Sequence, residues 1–220
     1  MNRLNLTLLK REPPIQLLTR IDVYNRKGKM TKTTGYVPAH SFTLNFLKHI
    51  EYINSKTQSG SGKTFILTDT SGNPITVTQP YGTTYNYNTV NYYMACLALA
   101  NNDLYGIQVG QGSTAVLYDN YTIESLIPSG YSTNELMYGN TLDGGACIMD
   151  DYSCQFCLSR PFFNASGNTV NITEIALTCH SLTGISTTNN NYYLLARDLV
   201  GQSIETDHIG VVMYAIRTHV

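Results

Sequence analysis

The sequence contains no tryptophan, and only 13% of its 220 residues are charged. It also lacks an apolar run near the roughly 18 residues that span a bilayer, and the stretch 1–14 holds too few consecutive apolar residues for a secretion signal. We therefore expect a folded protein that is made and kept inside a cell, or assembled there. Tyrosine is abundant, with 17 residues, and Thr, Asn, Ser and Gly are common, which favours strands joined by polar turns.

Cysteine is scarce as well, and the five thiols form an odd set, unlike the framework of a small secreted domain. Cys154 and Cys157 form a C-x-x-C pair, but a zinc site needs two further ligands. Only the fold could supply these from Cys147, Cys179 or His180. A redox pair is expected at a helix start, where the dipole lowers the thiol pKa, whereas this stretch is typical of an extended strand. We expect buried, reduced thiols and no metal site.

Positive charge is nearly absent from the later part of the chain. Residues 1–63 hold 11 of the 14 Lys and Arg against three acids, a balance of +8, while residues 64–220 carry a balance of −9. This division indicates that the two parts contact different partners. It also predicts two regions, a basic N-terminal segment over 1–63 and a body over 64–220.

The cations of the basic segment are candidate assembly contacts. They suit nucleic acid or an acidic protein surface, but they are scattered and only two tyrosines lie among them, which favours a protein partner. We expect neither nucleic acid nor a membrane as a partner. The candidate contacts are Arg3, Lys10, Arg11, Arg20, Arg26, Lys27 and Lys29.

The stretch TQSGSGKT, residues 57–64, raises the question of a nucleotide site. A phosphate-binding loop reads G-x-x-x-x-G-K-[ST], yet Thr57 stands in the place of its first glycine. Such a loop also follows a strand and precedes a helix, whereas here HSFTLNFLKHIEYI predicts a helix before it and KTFILTDTSGNPITVT predicts a hairpin after it. We interpret the glycines as a linker between helix and hairpin, and we expect no nucleotide cofactor.

The predicted helix covers residues 41–53, with Ser41 as its N-cap and one apolar face that packs on the sheet. That face comprises Phe42, Phe46, Leu47, Ile50 and Ile53. The hairpin after it is predicted to turn at residues 71–74.

Several short strand patterns follow, with no amphipathic helix between them. A short strand ends at Gly110, a hairpin is predicted around the turn 164–168, and YYLLARDLV and IGVVMYAIRTHV are two further strands. Strands without intervening helices favour antiparallel pairing. We therefore predict a mainly β fold, an antiparallel β-sandwich of jelly-roll-like type with an N-terminal extension and one short α-helix.

Catalytic patterns are missing too, since no G-x-S-x-G or H-E-x-x-H accompanies the five histidines. Asp143 with Asp150 and Asp151 lacks the alternating oxygen ligands of a calcium loop, which favours a solvated acidic turn. The adjacent Arg197-Asp198 is a candidate ion pair at a strand end, and Arg160 a candidate anchor of the predicted hairpin. We expect no catalytic residue, no cofactor and no metal ion.

Six stretches combine turn glycines, strand apolars and the Arg-Asp pair. They are GIQVGQGSTAV (106–116), YTIESLIPSG (121–130), ELMYG (135–139), RPFFNASGNTVNITEIAL (160–177), LLARD (194–198) and VVMYAIRT (211–218). In this order they resemble the blocks of a group of tailed-bacteriophage structural proteins, mostly uncharacterised. The stretch 25–47 is similar to that group's opening, a Gly-Lys turn before a short helix. The chain departs from the group over 199–210, where a turn rich in proline and glycine is expected.

The resemblance implies a non-enzymatic structural component of the virion, assembled in the host bacterial cytoplasm. A capsid decoration or other auxiliary head protein is the first expectation, and a tail or baseplate component the second. Its partners would be copies of itself, in a closed ring such as a trimer, and virion proteins such as the major capsid protein, with no small-molecule substrate. A host receptor- or glycan-binding module is the competing class, and a small hydrolase a third.

If the basic segment attaches the protein, a variant lacking residues 1–20 should fold but not join the particle.

Overall fold

A computed structural model describes residues 15–39, 41–54, 64–78, 94–150, 153–182 and 190–219. Within these ranges the chain forms antiparallel strands and one short helix, so the predicted mainly β class is confirmed. The elements are β1 (Ile15–Tyr24), β2 (Met30–Thr33), β3 (Val37–Pro38), α1 (Leu44–Asn54), β4 (Thr64–Thr68), β5 (Pro74–Thr78), β6 (Met94–Ala95), β7 (Gly106–Gly110), β8 (Met137–Tyr138), β9 (Leu142–Asp150), β10 (Ser153–Phe163), β11 (Val170–Leu182), β12 (Asn190–Ile204) and β13 (Ile209–His219). No helix within the described ranges is long and apolar enough to span a bilayer.

Two sheets carry most of the strands, and all pairings among the strands named above are antiparallel. The first has the order β2-β1-β13-β10-β8, with β3 also paired to β1 and β9 to β10. The second has the order β12-β11-β6, with β7 also paired to β11, and β4 and β5 form a separate hairpin. The predicted hairpin over residues 64–78 is therefore confirmed.

The last four strands form two antiparallel pairs, and the two strands of one pair lie between those of the other in the sequence. β10 pairs with β13 in the first sheet along eleven residues, while β11 pairs with β12 in the second. The chain thus crosses between the sheets after β10 and returns after β12. This folded-over double pair is a connection of the kind found in jelly-roll sandwiches.

The core lies between the two sheets. Alternate side chains of β1, β10 and β13 point inward and join those of β7, β11 and β12 in one buried cluster, as the period of two requires. Fully buried members from the two sides are Ile21, Phe162, Val212, Ile107, Ile172 and Ile175.

The turn at 164–168 corrects one prediction, because β10 and β11 are not a hairpin. They belong to different sheets, and the turn is a corner of the sandwich. The buried Asn164 joins this corner to the one between β12 and β13: its Nδ2 donates to the carbonyl oxygens of Asn168 and Ile204, and its main chain bonds Asp207 and His208. Local turn signals indicated a reversal but could not indicate which sheet the next strand joins.

The region 199–210 contains no early turn. β12 continues as a strand to Ile204, and only Glu205–His208 form the corner before β13. The first part of this region therefore belongs to the end of a long strand.

The helix begins three residues later than predicted, so Ser41 as N-cap was wrong. Residues 41–43 lie extended along the edge of β12, where Thr43 N donates to Leu195 O and Arg197 N donates to Ser41 O. Because this backbone pairs with a strand, the first helical turn closes on Thr43, whose carbonyl accepts from Phe46 N.

The prediction of which apolar side chains of the helix pack on the sheet is only partly confirmed. Phe42 and Phe46 pack against the core, with ring centroids 3.8 Å apart, although Phe42 precedes the helix. Leu47 and Ile50 are instead 59% and 41% exposed. The predicted Ile53 side chain lies outside the described residues, as do the glycine linker at 57–63 and the segment 1–14.

The described strands of the basic segment belong to the first sheet. β1 pairs with β13 over its whole length and with β2 and β3 on its other side, and its Leu17 and Leu18 are buried. The charge boundary at residue 63 is therefore not a boundary of the sheet. A truncation to residue 20 would remove Ile15–Arg20 of β1, so a test of the N-terminal stretch has to stop before Ile15.

Candidate functional site

The turn between β1 and β2 holds the clearest exposed charge of the described residues. Asn25 closes this turn: its side-chain Oδ1 accepts from the main-chain N of Lys27 and Lys29 at 3.0 and 3.1 Å, and its carbonyl accepts from Gly28 N at 2.9 Å. Gly28 has a φ of 74°, a conformation that glycine adopts without strain. The turn is therefore fixed by its own hydrogen bonds, and its longer side chains are left to point outward.

Arg26, Lys27 and Lys29 form what we term the cationic tip. All three are exposed, and their side chains make no hydrogen bond or ion pair with the described part of the chain. Lys32, on β2, differs, because its Nζ contacts Ser203 Oγ at 3.0 Å and Glu205 Oε1 at 3.2 Å. The fold thus brings together three of the seven predicted contacts, with their charge directed at solvent.

Arg20 does not belong to this cluster. Its guanidinium pairs with the buried Asp22 at 2.9 Å and lies 5.4 Å from the ring centroid of Tyr36, on the outer face of the first sheet. Arg217 approaches the same ring at 5.5 Å. Arg20 is therefore engaged within its own sheet, and the predicted contacts Arg3, Lys10 and Arg11 lie outside the described residues.

A buried ionic network holds the loop that follows β7. Glu174, on β11, is fully buried; its Oε1 accepts from Gly112 N and Ser125 N, and its Oε2 accepts from Arg197 Nε at 2.7 Å. Arg197 also reaches Glu124 Oε2 at 3.0 Å. Both ends of the loop are thereby tied to adjacent strands of the second sheet.

Glu124 completes the network at the surface. Its Oε2 accepts from the main-chain N of Ser113 and from the main-chain N and hydroxyl of Thr114, each at 2.8 Å. These bonds from Thr114, together with those of Ser113 and the charge of Arg197, lower the pKa of Glu124. The carboxylate is therefore held in its charged form as a cap for this turn.

Two glycines of GIQVGQGST, Gly110 and Gly112, are explained by the carboxylate of Glu174. A Cβ on Gly110 would lie 2.6 Å from Glu174 Oε1, and a Cβ on Gly112 would collide with the same atom. The backbone passes this close to the buried carboxylate, and Gly112 N donates to it at 3.0 Å. These two glycines therefore serve the packing of the loop against β11.

Arg160 is the second buried cation. It is fully buried on β10, and its guanidinium stacks on the ring of Tyr138 at 4.7 Å. Burial lowers the pKa of Arg160 to about 10, which leaves it charged at neutral pH. Its N–H groups donate to five carbonyl oxygens at 2.6–3.0 Å, those of Leu99, Asn102, Tyr105, Ile107 and Gly139. It anchors the loop before β7, and not the hairpin that the sequence suggested.

The expected ion pair between Arg197 and Asp198 does not form. Neighbouring residues of a strand point to opposite faces, so Arg197 meets Glu174 while Asp198 accepts from the Tyr214 hydroxyl at 3.1 Å. Burial, reinforced by Asp198, raises the pKa of Tyr214. Glu124 and Glu174 were not selected from the sequence; the one signal was an acid inside the apolar pattern of β11.

The thiols of the C-x-x-C pair lie on opposite faces of β10, since they are three residues apart in an extended strand. Cys154 is exposed, which corrects the expectation of a buried thiol, and Cys157 is half-buried. Cys179 is fully buried, and burial raises its pKa as well as that of Cys96, the latter to about 12.

No cluster of three or more His, Cys, Asp or Glu residues able to hold a metal ion occurs in the described ranges. Asp143 is exposed and caps the turn at Gly145 N.

Comparison of the chain with family models, with curated proteins and with solved structures finds no match.

Proposed function

We propose that this protein is a non-enzymatic structural component of a tailed-phage particle, an auxiliary or decoration protein of the head. The support from sequence is the ordered series of blocks that resembles phage structural proteins. The support from the fold is what the residues of those blocks do. Gly110, Gly112, Glu174 and Arg197 all lie in these blocks, and together they hold one loop against the second sheet.

The observation that carries the proposal is that the buried charges act on the protein's own backbone. Arg160 spends its donors on five carbonyl oxygens, and Glu174 accepts from Gly112, Ser125 and Arg197. Groups engaged in this way stabilise loops and are not available to a substrate. Such an arrangement suits a rigid building block better than a reaction centre.

The cationic tip is the proposed attachment element of this building block. Its three charges have no partner among the described residues. They can therefore pair with the acidic groups of a neighbouring protein. An acidic surface of the major capsid protein fits this chemistry, and copies arranged in a closed ring such as a trimer would each present one tip. Contacts of this kind weaken as salt shortens the screening length, from about 10 Å at 0.1 M to about 3 Å at 1 M.

Mass spectrometry of purified particles, separated into heads and tails and quantified against the major capsid protein, tests the proposal. We expect the protein in the head fraction at a fixed ratio to that protein. Recovery only with tails would move the assignment to a tail or baseplate component. Absence from particles, together with saturable binding of the free protein to host cells, would favour the receptor-binding class.

A further inference from the structure

An apolar surface extends from the helix to the loop that follows β7. It comprises Leu44 and Leu47 of α1 and Leu117 and Tyr118 of the loop, which we term the apolar face. Leu47 is 59% and Tyr118 72% exposed, and Leu44 N donates to Tyr118 O at 2.7 Å, which brings the two segments side by side. Nothing in the described part of the chain covers this face. Contiguous exposed apolar groups of this kind mark interaction sites.

The helix beneath the apolar face is fixed to the sandwich on its other side. Asn45 is buried and makes two hydrogen bonds with the main chain of Thr68, at 2.8 and 3.0 Å. Lys48 Nζ donates to Ile66 O at 2.6 Å, and the Thr43 hydroxyl donates to Leu194 O at 2.6 Å. The helix is thus held by polar contacts to β4 and β12, with leucines left on its outer side.

The border of the apolar face carries an acidic residue. Asp119 follows Tyr118 directly and is exposed, which places a carboxylate beside the loop part of this face. A partner that fits this surface combines apolar side chains with positive charge at its ends. Apolar contact would supply the affinity, and the charges would set the direction in which the partner lies.

The stretch before β1 has this composition. Four leucines at positions 4, 6, 8 and 9 lie between Arg3 on one side and Lys10 and Arg11 on the other. Fourteen residues precede Ile15, which is itself 61% exposed at the start of β1. Extended, they reach up to about 46–50 Å at roughly 3.3–3.6 Å per residue.

We propose that residues 3–11 of one copy dock on the apolar face of a neighbouring copy. The inference rests on the proposed function, which places copies next to one another. Docking between copies links them head to tail, an arrangement that closes into a ring when the rotation allows it. The cationic tip then remains free to contact the capsid, so the two surfaces have separate tasks.

Photo-crosslinking of the purified protein tests the docking. Thr7 is replaced by benzoylphenylalanine, which leaves all four leucines intact, and isotope-labelled and unlabelled copies are mixed before irradiation. We expect crosslinks between copies, mapped by mass spectrometry to residues 44–51 or 115–121, with a yield that rises with protein concentration. Crosslinks within one copy, or to other surfaces, would overturn the proposal.

A pair of variants gives the control. Leu47→Asp places a charge on the apolar face and should reduce the crosslink between copies about tenfold, which corresponds to 1.4 kcal/mol. Leu104→Asp alters a leucine of similar exposure, 52%, in the loop before β7 and should leave the yield unchanged. Equal yields from the two variants would also overturn the docking. Because no particle is present, this result is independent of whether the protein is found in virions.

Discussion

Arg160 holds the loop before β7 from inside the core. Replacing it with leucine would remove the guanidinium and its hydrogen bonds to the carbonyl oxygens of Leu99, Asn102, Tyr105 and Ile107. We expect Arg160→Leu to lower the free energy of unfolding by about 3–5 kcal/mol. Since the chain has no tryptophan, denaturant unfolding is followed by far-UV circular dichroism.

Arg160→Lys is the matched control, because an ammonium keeps the charge but offers fewer donors in a different geometry. Its loss of stability should lie between wild type and Arg160→Leu. If the leucine variant unfolds at the wild-type denaturant concentration, the five hydrogen bonds do not anchor the loop.

Glu124 gives a prediction about pH. Its pKa is lowered by the hydrogen bonds from Thr114, so the stability it contributes is fully present above its unfolded pKa of about 4.3 and is lost as the pH falls through the lower folded pKa. Thermal melting from pH 7 to pH 3 should therefore show a steeper loss for wild type than for Glu124→Gln. The two curves should converge at low pH; parallel curves would mean that the carboxylate is not linked to folding.

At the scale of elements, α1 separates two kinds of apolar position. Phe46 is partly buried and stacks on Phe42, so Phe46→Ala should cost about 1–2 kcal/mol, less than the roughly 3–5 kcal/mol of a fully buried phenylalanine. Leu47 is mostly exposed, and Leu47→Ala should change the free energy of unfolding by at most about 0.5 kcal/mol. Denaturant unfolding of the two variants measures both. A cost for Leu47→Ala as large as that for Phe46→Ala would show that Leu47 packs within its own copy.

Local sequence patterns predicted the strands and the helix better than they predicted which strands pair with one another. The alternation in β4 and β5 and the turn between them are properties of neighbouring residues, and the hairpin was found. The corner at Asn164 was read as a hairpin because the same turn residues serve both, and only the pairing of β10 with β13 distinguishes them. The helix start shifted because residues 41–43 pair with β12, which lies about 150 residues further along the chain.

The polar network was beyond local patterns for the same reason. Arg197 and Asp198 are adjacent in sequence, which suggested a pair, but strand geometry directs them to different partners. Glu174 meets Gly112 and Arg197 only because β7 and β12 flank β11. The cationic tip, in contrast, is a short turn, and its three charges could be selected directly from the sequence.

At the scale of the whole molecule, the fold pairs only some cations of the basic segment with carboxylates. Within the described ranges Arg20 and Lys32 find carboxylate partners, whereas the tip does not. Exposed ion pairs contribute only about 0–1 kcal/mol each, so pairing within one copy would add little stability. Several charges that act together across an interface would contribute more free energy than such isolated pairs.

The proposed attachment through the tip is tested most directly by measuring occupancy on phage particles that lack this protein. Full-length protein and a variant with Arg26, Lys27 and Lys29 all changed to alanine are added at low salt and at 1 M salt. Thr133→Glu, at an exposed loop position outside the tip, lowers the charge by one and controls for a change of charge elsewhere on the surface. We expect wild type and Thr133→Glu to bind at low salt and to dissociate at high salt, and the tip variant to bind weakly throughout while melting like wild type. Equal occupancy by the tip variant and wild type at low salt would contradict attachment through the tip.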